Sequence, residues 1–103
     1  MSQSTIKLVT HDGEPCIELK GEWNQASLDA LIKAFQKSLG KVQSHLYLHL
    51  AELDYLDSAA LGVIMFHMNE LSKRRAKLVL LEPSDEMRQI LRTTSLDKVL
   101  EIR

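Results

Sequence analysis

From Thr5 to Thr10 the side chains alternate, Ile6 and Leu8 against Lys7 and Val9, the period of two that a half-buried strand requires. His11-Asp12-Gly13-Glu14 is a turn cluster, with Gly13 supplying the permissive backbone. Cys16 to Lys20 alternates again, so the two runs predict an antiparallel hairpin. Gly21 is expected to break the second strand, leaving Trp23 in the loop ahead of a helix capped by Asn24 or Ser27. Leu28, Leu31, Ile32, Phe35 and Leu39 then recur at helical spacing up to Gly40. Leu46, Leu48 and Leu50 alternate with His45, Tyr47 and His49 as a third strand. A second helix is predicted from Ser58 to about Arg75, and Leu78 to Leu81 reads as a strand covered on both faces. Glu82-Pro83-Ser84 is a break and cap before a third helix, Asp85 to Thr93, presenting Met87, Ile90 and Leu91. Val99 to Ile102 adds a short terminal strand. Strands alternating with helices after a hairpin define an α/β fold: a mostly parallel mixed sheet of four to five strands with three or more helices.

A chain of 103 residues is the size of one domain, expected to span 1–103. Its net charge of −1 argues against a nucleic-acid surface, which needs a strong basic excess. The one basic run, Lys73-Arg74-Arg75 with Lys77, falls where a helix ends and complements its dipole. Cys16 is the single cysteine and lies in an apolar strand, which predicts a buried, unreactive thiol. Met1 to Thr5 is polar, and no run approaches the roughly 18 apolar residues that span a bilayer, so a reducing cytoplasm is the expected location without membrane insertion.

Leu53-Asp54-Tyr55-Leu56-Asp57-Ser58-Ala59-Ala60-Leu61-Gly62 carries the chemistry, because it sets an Asp-Ser pair at a strand-to-helix junction. Ser58 falls at or beside the helix N-cap, where a phosphate would meet free N–H donors and the positive end of the dipole. Asp57 would oppose that second negative charge, so the pair has the makings of a reversible switch. A plain cap is the competing reading. Hydrolysis by Ser58, with His45, His49 or His67 as base, lacks the G-x-S-x-G glycines of a nucleophile elbow. His45 and His49 share a strand face roughly 13 Å apart, too far to ligate one metal. His67 and Glu70 read as a solvated polar edge, so no metal or other cofactor is expected. A binding module remains. The second helix is apolar nearly all round, through Val63, Ile64, Met65, Phe66 and Met68, and is either packed on two sides or partly exposed for docking. Trp23 is either a core plug or an interface anchor.

With Gly21-Glu22 after the second strand, the Leu53 to Ser58 motif followed by Leu61-Gly62, and the apolar run Leu78 to Leu81, the chain resembles a STAS domain over essentially its whole length. The resemblance is to the anti-sigma factor antagonists. It implies that a dedicated serine kinase, itself the anti-sigma factor, phosphorylates Ser58. The unmodified chain would bind that partner, the phosphorylated chain would release it, and a phosphatase would reset it. The recognition surface would comprise Trp23, Asn24, Asp57, Ser58, Ala59, Ala60, Leu61 and Met65. Two departures stand out: Ala59-Ala60 replaces Ser or Thr then Gly, and Trp23-Asn24 replaces Leu-Asp. They motivate an alternative, a constitutive STAS subunit of a larger assembly such as a lipid transporter.

Overall fold

In a computed structural model, which describes residues 3–103, the chain forms one five-stranded sheet and three α-helices. The polar N-terminal segment read from the sequence begins at Met1 and Ser2, which lie outside the described residues. β1 (Thr5–His11) and β2 (Glu14–Trp23) make the antiparallel hairpin. α1 (Leu28–Leu39) leads to β3 (His45–Leu56), α2 (Ser58–Lys73) to β4 (Lys77–Leu81), and α3 (Asp85–Thr93) to β5 (Glu101–Ile102). The strands lie side by side in chain order, and every pair after the hairpin is parallel. Successive right-handed crossovers that advance in one direction place every helix on the same face of the sheet.

That face holds the main core. Ile17, Leu19, Leu46, Leu48, Leu50, Leu78 and Leu80 point from the strands, and Leu31, Phe35, Ile64, Leu71, Met87 and Leu91 meet them from the helices. Cys16, Tyr47, Val79 and Leu81 form a small second cluster on the face without helices, which is why the β4 run is apolar on both sides. Cys16 is buried there, and desolvation pushes its thiol up to about 11.

Three expectations are corrected. β2 does not stop at Gly21 but runs to Trp23, with register irregularities on either side of the glycine. Gly21 sits at φ +84, and a Cβ there would run into the backbone carbonyl of Gln3. Glycine thus bends the strand without ending it. Gly21→Ala is expected to cost at least about 1–3 kcal/mol of stability, read as a lowered urea midpoint. α2 ends at Lys73 rather than Arg75, because Arg74 closes the helix and Arg75 turns to φ +59. His67 is not a solvated edge. It is buried, stacks on Phe35 at 4.3 Å with planes 4° apart, and bonds through Nδ1 to the Val63 carbonyl at 2.8 Å.

The loop between α1 and β3 is fastened to the hairpin by one carboxylate. Glu14 Oε1 accepts from Gln43 N–H at 2.9 Å, and Oε2 accepts from the Ser44 hydroxyl at 2.6 Å and from Ser44 and His45 N–H at 2.8 Å each. The Ser44 hydroxyl and these backbone donors outweigh burial and hold the Glu14 carboxyl down at about 2.

Candidate functional site

β3 and α2 are joined by a single residue, Asp57, and its side chain organises the junction. Asp57 is extended (φ −86, ψ 176) and serves as N-cap: Oδ1 accepts from Ala60 N–H at 2.8 Å. Oδ2 reaches the other way and accepts from Gln25 N–H at 3.2 Å, at the start of the 3₁₀ turn Gln25–Ser27 that precedes α1. The Asp57 N–H donates to the Trp23 carbonyl at 3.0 Å, fixing the junction to the end of β2. One carboxylate therefore links the starts of two helical segments.

This places Ser58 beside the N-cap, as the sequence reading allowed, and not at it. The cap is Asp57, and Ser58 is the first helical residue, exposed, with no hydrogen bond from its hydroxyl among the described residues. The donor that a serine cap would bind is already taken by the aspartate. Ser58 Oγ is left facing solvent, next to a carboxylate and at the positive end of a sixteen-residue helix.

The other predicted residues divide. Ala59, Leu61 and Met65 are half-buried, and Leu61 and Met65 pack against the core. Met65 lies about two turns along α2, at 3.6 residues per turn, away from Ser58. Asn24 is half-buried and caps the 3₁₀ turn, its Oδ1 accepting from Ala26 N–H at 2.9 Å. Ser27, the alternative cap, precedes α1 without a side-chain capping bond and meets Ser4 instead. Trp23 and Ala60 are corrected as contact residues. Trp23 is a core plug, 1% exposed at the end of β2, with Nε1 donating to the Lys20 carbonyl at 3.0 Å. Ala60 is completely buried, so neither side chain offers surface to a partner.

Two features near the junction were not anticipated. Gln25 contributes through its backbone N–H, which no side-chain pattern advertises. Beside Ser58, a groove of about 370 Å³ runs between α1 and α2, lined by Ile32, Gln36, Ala59, Gly62, Val63 and Phe66. Its signal was present: Ala59 and Gly62 are small residues three apart on one helix face, where they leave a trough. Phe66 closes the groove with half its surface in solvent, so α2 is both packed and partly exposed. Its neighbours Met65 and Met68 are only partly covered.

The histidines are occupied elsewhere. His49 Nε2 pairs with Glu82 Oε2 at 2.7 Å, and His45 lies beside Glu14 and Ser44. Among the described residues no three His, Cys, Asp or Glu side chains converge as a metal site, and no helix is long and apolar enough to cross a membrane.

Asp57→Ala removes the cap and the bond to Gln25 together, and is expected to cost about 1–2 kcal/mol in chemical unfolding. Asp57→Asn should fall between, because its oxygen still caps Ala60 while its amide turns an N–H toward Gln25.

A five-stranded mixed sheet opening on a hairpin, with three helices, matches known proteins. The STAS domain family matches residues 5–103, and the chain belongs to it. Among sequence relatives, the anti-sigma-B factor antagonist of Listeria monocytogenes is 34% identical over 58 residues, covering 56% of this chain and 51% of its own length. The chain spans between 51% and 60% of the length of the relatives it matches first in sequence. Among solved structures, an anti-sigma factor antagonist from Mycobacterium paratuberculosis superposes with a TM-score of 0.85 at 21% identity, covering 97% of this chain and 85% of that one. The Bacillus cell fate determinant SpoIIAA, in its phosphorylated form, gives 0.74 at 20% identity, covering 96% and 91%. At such identities the superpositions establish the fold.

Proposed function

We propose that this chain is an anti-sigma factor antagonist switched at Ser58. Unmodified, it binds an anti-sigma factor that is also a serine kinase. Phosphorylated at Ser58, it lets that partner go, and a serine phosphatase restores the binding form. The observation that carries this reading is the free, exposed Ser58 hydroxyl beside an aspartate that has taken over the capping role. A side chain with no intramolecular bond is available to a kinase, and its modification breaks nothing that holds the fold. Support also comes from the Listeria relative, named an anti-sigma-B factor antagonist, and from SpoIIAA, an antagonist of this fold with a phosphorylated form.

The direction of the switch follows from charge. A phosphate brings roughly −1.5 to −2 at pH 7, next to the Asp57 carboxylate. A partner seated over the junction would have to desolvate both groups at once. The contact surface is Asp57, Ser58 and Ala59 with the edge of Asn24, extended along α2 by the Phe66 groove. Its task is binding rather than turnover, in a reducing cytoplasm. Ser58→Ala and Ser58→Asp proteins used as paired baits in a lysate of the native host test the proposal. A kinase-like protein held by the alanine bait and absent from the aspartate bait is the expected result. The same proteins on both baits would instead favour a fixed subunit.

A further inference from the structure

The two outer strands of the sheet are built differently. β5 has two residues and ends in the charged Glu101–Arg103 pair, the short and charged form that protects a sheet edge. β1 has seven residues, no proline and no irregularity in its pairing with β2, and among the described residues no strand lies beside its outer edge. Leu8, at its centre, is 44% exposed. On the helix-facing side of the strand a groove of about 550 Å³, lined in part by Leu8, Thr10, Lys37 and Lys41, separates it from the end of α1. Such an edge is a template for another strand.

We propose that the outer edge of β1 docks β1 of a second copy of this chain, antiparallel, joining two five-stranded sheets into one with Leu8 facing Leu8. The register follows from charge and length. A two-fold axis normal to the sheet requires one residue to face its own copy. Centring on Lys7 sets two lysines directly opposite, which destabilises. Centring on Val9 sets Lys7 against His11 and leaves Leu8 opposite Thr10. Centring on Leu8 pairs all seven residues: Ile6 with Thr10, Lys7 with Val9, Thr5 with His11, and the exposed leucines with each other. No like charges are directly opposed in this register, and the two Lys7 side chains become diagonal neighbours about 7–8 Å apart. β2 separates β1 from the β3–α2 junction, so this inference rests on residues other than those of the switch.

Sedimentation equilibrium on the full chain, from about 10 µM to about 1 mM, is expected to show a reversible monomer–dimer equilibrium. Leu8→Lys, at a half-exposed position, should weaken dimerisation at least tenfold. Leu8→Cys should cross-link under mild oxidation, because directly opposed residues lie about 4.5–5.5 Å apart between Cα atoms, within disulfide reach. Thr10→Cys should not, since its own copy sits four residues off, roughly 13 Å along the strand. Cys16, being buried, stays out of the reaction. A monomer at every concentration, a dimer indifferent to Leu8→Lys, or cross-linking at Thr10 instead of Leu8 would overturn the proposal.

Discussion

Ser58→Asp is expected to bind the proposed anti-sigma partner at least tenfold more weakly than Ser58→Ala, a difference of about 1.4 kcal/mol or more. The carboxylate reproduces only part of the charge of a phosphate, so tenfold is the lower bound and true phosphorylation should exceed it. Ser58→Ala should bind as tightly as the unmodified protein and remain bound in the presence of kinase and ATP. Stability separates this role from a capping role. A serine cap lost to alanine costs about 1 kcal/mol, whereas the exposed Ser58 hydroxyl makes no bond to lose. Ser58→Ala should therefore unfold within about 0.5 kcal/mol of the parent, the range for surface substitutions. Titration calorimetry and urea unfolding on the same three proteins give both numbers. Equal affinities for the two variants would remove the switch, and a capping-sized stability loss would return Ser58 to a structural role.

Glu14→Gln is expected to lose on the order of 2 kcal/mol of stability, lowering the melting temperature by about 10 °C for a domain of this size. The carboxylate satisfies three backbone N–H groups and one hydroxyl, and an amide would turn its own N–H toward some of them. The pH dependence has a definite sign. The carboxyl titrates at about 2 in the folded chain against 4.5 for the free group, so its contribution is complete above about pH 4.5 and is lost as the pH falls toward 2. Over that window the parent should lose more stability than Glu14→Gln, and the two should converge near pH 2. Parallel curves from pH 6 down to 2 would show that the bonds contribute little.

Much of the fold was legible in the sequence wherever a periodic run ended in a residue with one conformational meaning. The third helix falls on Asp85–Thr93 as read, because Pro83 and Ser84 fix its start and Ser84 does accept from Met87 N–H. The β1–β2 hairpin and the first half of β3, His45 to Leu50, follow from alternation; beyond Leu50 the exposure of β3 no longer alternates, and its run to Leu56 does not follow from that pattern. Gly21 misled because a glycine at positive φ has the same sequence signature whether it ends a strand or bends one. The lengthened strand then carried Trp23 out of the loop and into the core. At the junction, Asp57 and Ser58 are both good caps, and composition cannot rank them. The choice was made by register, since the single linking residue is the one whose side chain lies over Ala60 N–H. His67 misled for a related reason: a polar side chain on an apolar helix is solvated only if its face is open, and here Phe35 of α1 covers it. The Glu14 clamp joins residues about thirty positions apart, beyond any local pattern.

The most direct measurement is a titration of the partner captured on the Ser58→Ala bait against two forms of this chain, one unmodified and one carrying phosphoserine at position 58. Binding by the unmodified form, with affinity reduced more than tenfold by the phosphate, is the expected result. Equal affinities for the two forms would contradict a switch at Ser58.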